Sequence, residues 1–98
     1  MSDSDKQNPQ EIQIQIPTDI QGGVYANNMV VVHTQEEFVL DFIMATPPVG
    51  TVNARVVVSP SHAKRIAAAL ADNVAKYEER FGEIKDVPAG MPEGAVSH

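Results

Sequence analysis

Hydrophobic and polar residues alternate along the first half of the chain, a pattern that predicts β-strands. In the segment EIQIQIP, residues 11–17, isoleucines and glutamines face opposite sides, as on a half-buried strand. Pro17 ends this strand because it has no N–H group for the ladder. Three further β-branched segments follow after short polar connections: VYANNMVVVH, FVLDFIMA and VNARVVVS. Four consecutive strands with short connections predict an antiparallel sheet.

The hydrophobic period changes in the second half of the chain and predicts a helix. Apolar residues recur there at intervals of three or four: Ala63, Ile66, Leu70, Val74, Tyr77 and Phe81. Ser59 is a suitable N-cap, Pro60 suits the first helical position, and Gly82 suits the position after the last turn. The predicted fold class is therefore α+β, with a four-stranded antiparallel sheet followed by one long C-terminal helix packed on one face.

The ends of the chain differ in composition from its middle. Residues 1–10 contain no hydrophobic residue after Met1 and are predicted to be a disordered tail. Residues 11–84 are predicted to form a single α+β domain, which suits a chain of 98 residues. Residues 85–98, KDVPAGMPEGAVSH, are rich in proline and glycine and are predicted to be a flexible tail.

Asp41 lies in the middle of the predicted strand FVLDFIMA, where a carboxylate is either a reactive group or half of an ion pair. A hairpin centred near Pro48 would place Asp41 opposite Arg55. The same register pairs apolar residues on both faces: Phe38 with Val58, Leu40 with Val56, Phe42 with Ala54, and Val39 with Val57. A slip by one residue would mix the two faces. The sequence therefore favours a structural ion pair of Asp41 and Arg55 over a catalytic carboxylate.

Composition and charge exclude several classes of function. The chain has 7 Lys+Arg against 13 Asp+Glu and a formal net charge of -6, so we expect no nucleic-acid partner. It has no cysteine, and His33, His62 and His98 are scattered, so no metal site is predicted. Without a glycine-rich phosphate loop, no cofactor is predicted either. The polar N-terminus and short apolar runs predict neither a signal peptide nor a membrane span, and we expect a cytoplasmic protein.

Two segments, YANNMVVVHTQEEFVLDFIMATP and RVVVSPSHAKRIAAALADNVAKYEERFGEI, extend from about Tyr25 to Ile84. They resemble a family of short bacterial and archaeal proteins called domain of unknown function three-four-six-seven, above all in EFVLDF, SPSHAKR and YEERFGEI. The resemblance implies no activity and no site residues. The predicted element order is also similar to that of SecB-type export chaperones, which are oligomers that hold unfolded chains.

The predicted sheet has two apolar faces, and a single helix can cover only one of them. We predict that the helix covers the face of Phe38, Leu40, Phe42, Val56 and Val58. The opposite face is then the predicted oligomer interface, formed by Met29, Val31, Val39, Ile43 and Val57. The leading interpretation is a non-enzymatic module that associates with itself as a homodimer or a larger assembly, with another protein as a further candidate partner.

Two other functions remain open on the sequence alone. One is a SecB-like binder of extended or unfolded polypeptides, which would use an apolar groove or a sheet edge. The other is a small-ligand protein or an enzyme that uses Asp41 or His62. Asn27 and Asn28 are unusual inside a β-strand, and they mark either a bulge or a polar recognition spot.

Overall fold

A computed structural model describes residues 11–86 of the chain. Within this range a three-stranded antiparallel sheet, with its strands in sequence order, is followed by one long helix, α1, which confirms the α+β class. The elements are β1 (Asn28–His33), β2 (Phe38–Thr46), β3 (Val49–Val58), α1 (Pro60–Phe81) and a short 3-10 helix (Thr18–Ile20). The tails predicted at residues 1–10 and 85–98 lie outside the described residues, except for Lys85 and Asp86.

The segment predicted as the first strand, residues 11–17, is not part of the sheet, so the prediction of four strands is wrong for the described residues. Two contacts direct the chain away from the outer side of β1. The Asn27 side chain bonds the backbone of Ala45, and the Asn53 Nδ2 atom donates to the Tyr25 carbonyl at 2.9 Å. The chain before β1 therefore runs across the end of β2 toward β3, where it cannot pair with β1.

The hairpin of β2 and β3 has the predicted register from Phe38, opposite Val58, to Phe42, opposite Ala54. The register then shifts, because Ile43 lies opposite Val52 and Asn53 is an extra residue in β3. The bulge is therefore in β3, and not at Asn27 and Asn28 as the sequence suggested. Pro47 and Pro48, joined by a cis peptide bond, form the tight turn of this hairpin.

The hairpin of β1 and β2 corrects the predicted assignment of the sheet faces. Met29 lies opposite Phe42 and Val31 opposite Leu40, and residues directly opposite each other share a face. Met29 and Val31 therefore belong to the face that the helix covers, and their predicted place on the opposite face is wrong. Alternation within a strand does not set its phase relative to the next strand. That phase comes from the connection, in which the Thr34 N–H donates to the Glu37 carbonyl.

Helix α1 begins and ends at the residues that the sequence predicts. The Ser59 Oγ accepts a hydrogen bond from the His62 N–H at 3.1 Å, and Pro60 is the first helical residue. Gly82 follows the last turn with a φ of 100°, which glycine adopts without a Cβ clash. The first half of α1 lies over the face of β1 and β2 that carries Leu40.

Candidate interaction surfaces

The described part of the chain buries very few side chains. Among these residues only Leu40 and Ala45 are buried, and no residue of α1 is. A buried leucine contributes about 1.5–3 kcal/mol and a buried alanine, with one methyl group, about 0.8 kcal/mol, so the two form a very small core. Most of the apolar surface that the sequence provides is therefore still accessible in a single copy of the chain.

An apolar groove separates the first half of α1 from the sheet. Its volume is about 280 Å³, and nearly all of its surface is hydrocarbon. Its sheet lining comes from β1 and β2, with no residue of β3 among the described residues that line it. The lining residues are Met29, Val31, Phe38, Leu40, Phe42, Ala63, Ile66, Ala67 and Leu70. The groove therefore lies over β1 and β2, between these strands and the first half of α1.

The apolar side of α1 continues beyond the groove as a helix stripe. Its members are Leu70, Val74, Tyr77 and Phe81. The exposed fraction is 44% for Val74 and 65% for Phe81. The rings of Tyr77 and Phe81 are 5.0 Å apart, and the Arg80 guanidinium lies 5.3 Å from the Phe81 ring centre. A contiguous stripe of this kind is typical of a surface that another protein covers.

The second sheet face, turned away from α1, is also apolar around one ion pair. Its large apolar members are Val30, Val32, Val39, Ile43, Val52 and Val57. Val39, Ile43 and Val57 lie where the sequence predicts them, whereas Val30 and Val32 replace Met29 and Val31. The prediction for β1 failed because it required knowing which alternate residues of β1 share a face with Leu40, and the sequence carries no clear signal for this.

Asp41 and Arg55 lie opposite each other in the middle of the second sheet face. The Arg55 Nε atom is 2.7 Å from Oδ1 of Asp41, and the Nη2 atom is 2.8 Å from Oδ2. Arg55 thus holds both carboxylate oxygens in the two-point geometry that suits a guanidinium. Its hydrogen bonds hold the pKa of Asp41 below the ordinary value, and those of Asp41 raise the pKa of Arg55. The arrangement is that of a structural pair.

The lowered pKa of Asp41 gives folding a definite dependence on pH. A carboxylate with a lower pKa in the folded chain stabilises the fold above its unfolded pKa, and this contribution is lost as the pH falls through the folded pKa. We expect Asp41→Asn to lower the Tm modestly at pH 7, where the natural carboxylate is ionised, and to weaken the fall in Tm below about pH 4, so that the two chains converge in acid. Circular dichroism melts across pH measure this, with Asp72→Asn on the exposed side of α1 as the control. An acid profile identical to that of the unchanged chain would contradict the account.

Asn27 supplies a pair of hydrogen bonds that sequence analysis does not anticipate. Its Oδ1 atom accepts from the Ala45 N–H at 2.8 Å, and its Nδ2 atom donates to the Ala45 carbonyl at 3.1 Å. The side-chain amide thus takes the place of a strand residue beside the end of β2, where Ala45 is buried. An asparagine just before a β-branched run is the only signal for this contact, and it suits a bulge equally well.

The histidines and carboxylates do not converge on a reactive site in the described residues. His33 stacks on Phe38 with ring centres 5.1 Å apart, and the His62 Nδ1 atom lies 3.4 Å from Arg65 in the first turn of α1. His62 is on the helix side of the sheet, whereas Asp41 is on the second sheet face, so the two do not act together. Residues 11–86 hold no group of three or more histidines and carboxylates that could bind a metal ion.

Comparison with known families places the chain. The model of the family described as "Protein of unknown function (DUF3467)" matches residues 1–86. The chain belongs to the DUF3467 family. No curated protein and no solved structure matches it, so the similarity in element order to SecB-type chaperones has no support. Within the described residues of this DUF3467 protein, no helix has the length and apolar character needed to cross a membrane.

Proposed function

We propose that this DUF3467 protein is a non-enzymatic interaction module that associates with itself through the helix stripe. The observation that supports this most is the size of the core, since only Leu40 and Ala45 are buried among the described residues. A chain of this length needs more buried apolar area than that to offset the entropy lost on folding. A second copy supplies the missing area, because it carries the same apolar surfaces.

The helix stripe is well suited to be the primary contact. Tyr77 and Phe81 are large aromatic side chains, the residue type that dominates interface energies when it is buried. The stripe is straight and lies along one side of α1, so two copies of α1 can pack against each other around a two-fold axis. The Arg80 guanidinium lies over the Phe81 ring, so it places a positive charge next to this surface.

The second sheet face provides a further contact that would extend a dimer to a tetramer. Its valines and Ile43 are apolar, and its ion pair leaves neither charge unpaired on burial. Val32 and Val57 are exposed there, whereas Val30, Val39 and Ile43 are half-buried. All four residues of the helix stripe, in contrast, are exposed, so the stripe is the primary contact and this face the secondary one.

The dependence of thermal stability on protein concentration tests the proposal. When folding is coupled to association, dilution favours the unfolded chain and the Tm falls. We expect the Tm of the intact chain to fall steadily over a hundredfold dilution. A Tm that does not change with concentration would contradict self-association. A parallel assay with a denaturing client protein tests the alternative function, which is binding of unfolded polypeptides. Such a binder suppresses the client's aggregation, whereas a module that only associates with itself does not.

A further inference from the structure

The segment Glu11–Pro17, here called the arm, has no regular secondary structure, and its isoleucines face water. Ile12 is 81% exposed and Ile14 is 91% exposed, and residues 11–16 make no hydrogen bond within the described part of the chain. We infer that the arm of one copy adds as a fourth strand to the outer edge of β1 in a second copy, where its isoleucines close the groove. This inference rests on the proposed self-association.

The outer edge of β1 is the less protected of the two edges of the sheet. β1, with the sequence NMVVVH, contains no lysine, arginine, carboxylate, proline or bulge. These are the features by which sheet proteins normally block addition of another strand. β3 at the opposite edge carries the Asn53 bulge and the charge of Arg55. Strand addition is therefore favoured at β1.

The hydrogen bonds of the first hairpin show which groups of β1 point outward. The Thr34 N–H donates to the Glu37 carbonyl, so this pair is a bonded pair of the antiparallel ladder. Bonded and non-bonded pairs alternate, and the Val32 pair with Val39 is therefore bonded as well. It follows that Met29, Val31 and His33 direct their N–H and C=O groups to the free edge.

An antiparallel arm satisfies these groups in one register. With Ile14 opposite Val31, the neighbouring isoleucines lie opposite His33 and Met29, so all three isoleucines bond the edge. Pro17 then lies opposite Asn28, at a position where no N–H is needed from the arm. Met29 and Val31 point into the groove, and the isoleucines beside them share that face. The same register thus fills the ladder and covers the groove.

The area that such an exchange buries suits a stable dimer. Each isoleucine buries roughly 60–120 Å² of apolar surface, and the groove residues beneath it lose a similar area. Three isoleucines on each of two arms then remove on the order of 700–1,400 Å² from water in total. Stable interfaces begin at about 1,200 Å², so the exchanged arms together with the helix stripe reach this range.

The position of the chain before β1 favours exchange between copies. Tyr25 is held at Asn53 in β3, on the side of the sheet away from the edge of β1. The arm precedes this point and the short 3-10 helix Thr18–Ile20. An arm that leaves the sheet near β3 is directed away from its own β1 edge and is available to a neighbouring copy.

Disulfide formation between two different variants tests the exchange, because the natural chain has no cysteine. In the proposed register Gln13 lies opposite Val32 in a non-bonded pair, whose Cα separation of about 4.5 Å permits a disulfide. Q13C and V32C chains are purified separately, mixed, and oxidised. We expect a covalent dimer that contains one chain of each kind, in at least tenfold excess over the product from either chain alone. Val57→Cys in place of Val32→Cys is the matched control, since it lies on the same face at the other edge.

The outcomes separate this inference from the proposed function. A covalent product with Val57→Cys and none with Val32→Cys would show that the arm binds at β3, and it would overturn the inference. A link within a single doubly substituted chain, without one in the mixture, would overturn exchange between copies. Light scattering on the same variants provides the second readout. A dimeric mass without the disulfide refutes only the arm, whereas a monomeric mass refutes self-association as well.

Discussion

Replacing Tyr77 with lysine is expected to raise the dissociation constant of the DUF3467 assembly by about 30-fold or more. The tyrosine lies in the middle of the helix stripe next to Phe81, and truncation of such an aromatic anchor commonly costs about 2 kcal/mol or more. A lysine in its place also puts a charge into an interface that must be dry. Light scattering over a dilution series measures the change.

Ala68→Lys is the matched control for this variant. Ala68 is an exposed residue of the same helix, and it lies on the side turned away from the stripe. Lysine favours helix nearly as much as alanine does, so both variants should keep the helical content of the natural chain. An equal loss of association in the two variants, or no loss in either, would show that the interface is not at the helix stripe.

Replacing Asn27 with leucine is expected to lower the free energy of unfolding by about 2–4 kcal/mol. The Asn27 amide satisfies both the N–H and the C=O of Ala45, which is only 6% exposed. Leucine leaves both groups without that partner, and a buried polar group that loses its hydrogen bond costs about 1–3 kcal/mol. Denaturant unfolding at one fixed protein concentration measures the difference, so that association affects all variants equally.

Two further variants test the cause of that loss. Asn27→Asp keeps the acceptor for the Ala45 N–H but has no donor for the Ala45 carbonyl. Its free energy of unfolding should therefore lie between that of the natural chain and that of Asn27→Leu. Asn53→Ala removes only the exposed hydrogen bond to Tyr25 and should cost about 1 kcal/mol or less. If Asn27→Leu cost no more than Asn53→Ala, the pairing with Ala45 would not stabilise the fold.

The helix and one hairpin could be predicted because local rules determine them. The apolar period, the Ser59 cap and Gly82 define α1 almost to the residue. In the hairpin of β2 and β3, the Asp41 and Arg55 charges have to meet while the apolar residues stay on matching faces, and one register satisfies both conditions. Charge and hydrophobicity together are therefore more informative than either of them alone.

The placement of β1 and of the arm could not be predicted, because contacts distant in sequence decide them. The face of Met29 depends on how the Thr34–Glu37 connection closes, and alternation within β1 permits either phase. The arm alternates as a strand should, yet the bonds of Asn27 to Ala45 and of Tyr25 to Asn53 lead the chain elsewhere. A strand pattern shows that a segment can pair, and it does not show which edge it pairs with.

The molar mass of the intact chain in solution tests the central claim most directly. Sedimentation equilibrium at micromolar protein gives this mass without assuming a shape. Self-association through the helix stripe predicts twice the mass of one chain or a higher even multiple, with dissociation on dilution. A mass equal to one chain at every concentration would contradict the account, and the exposed groove and stripe would then need a different partner.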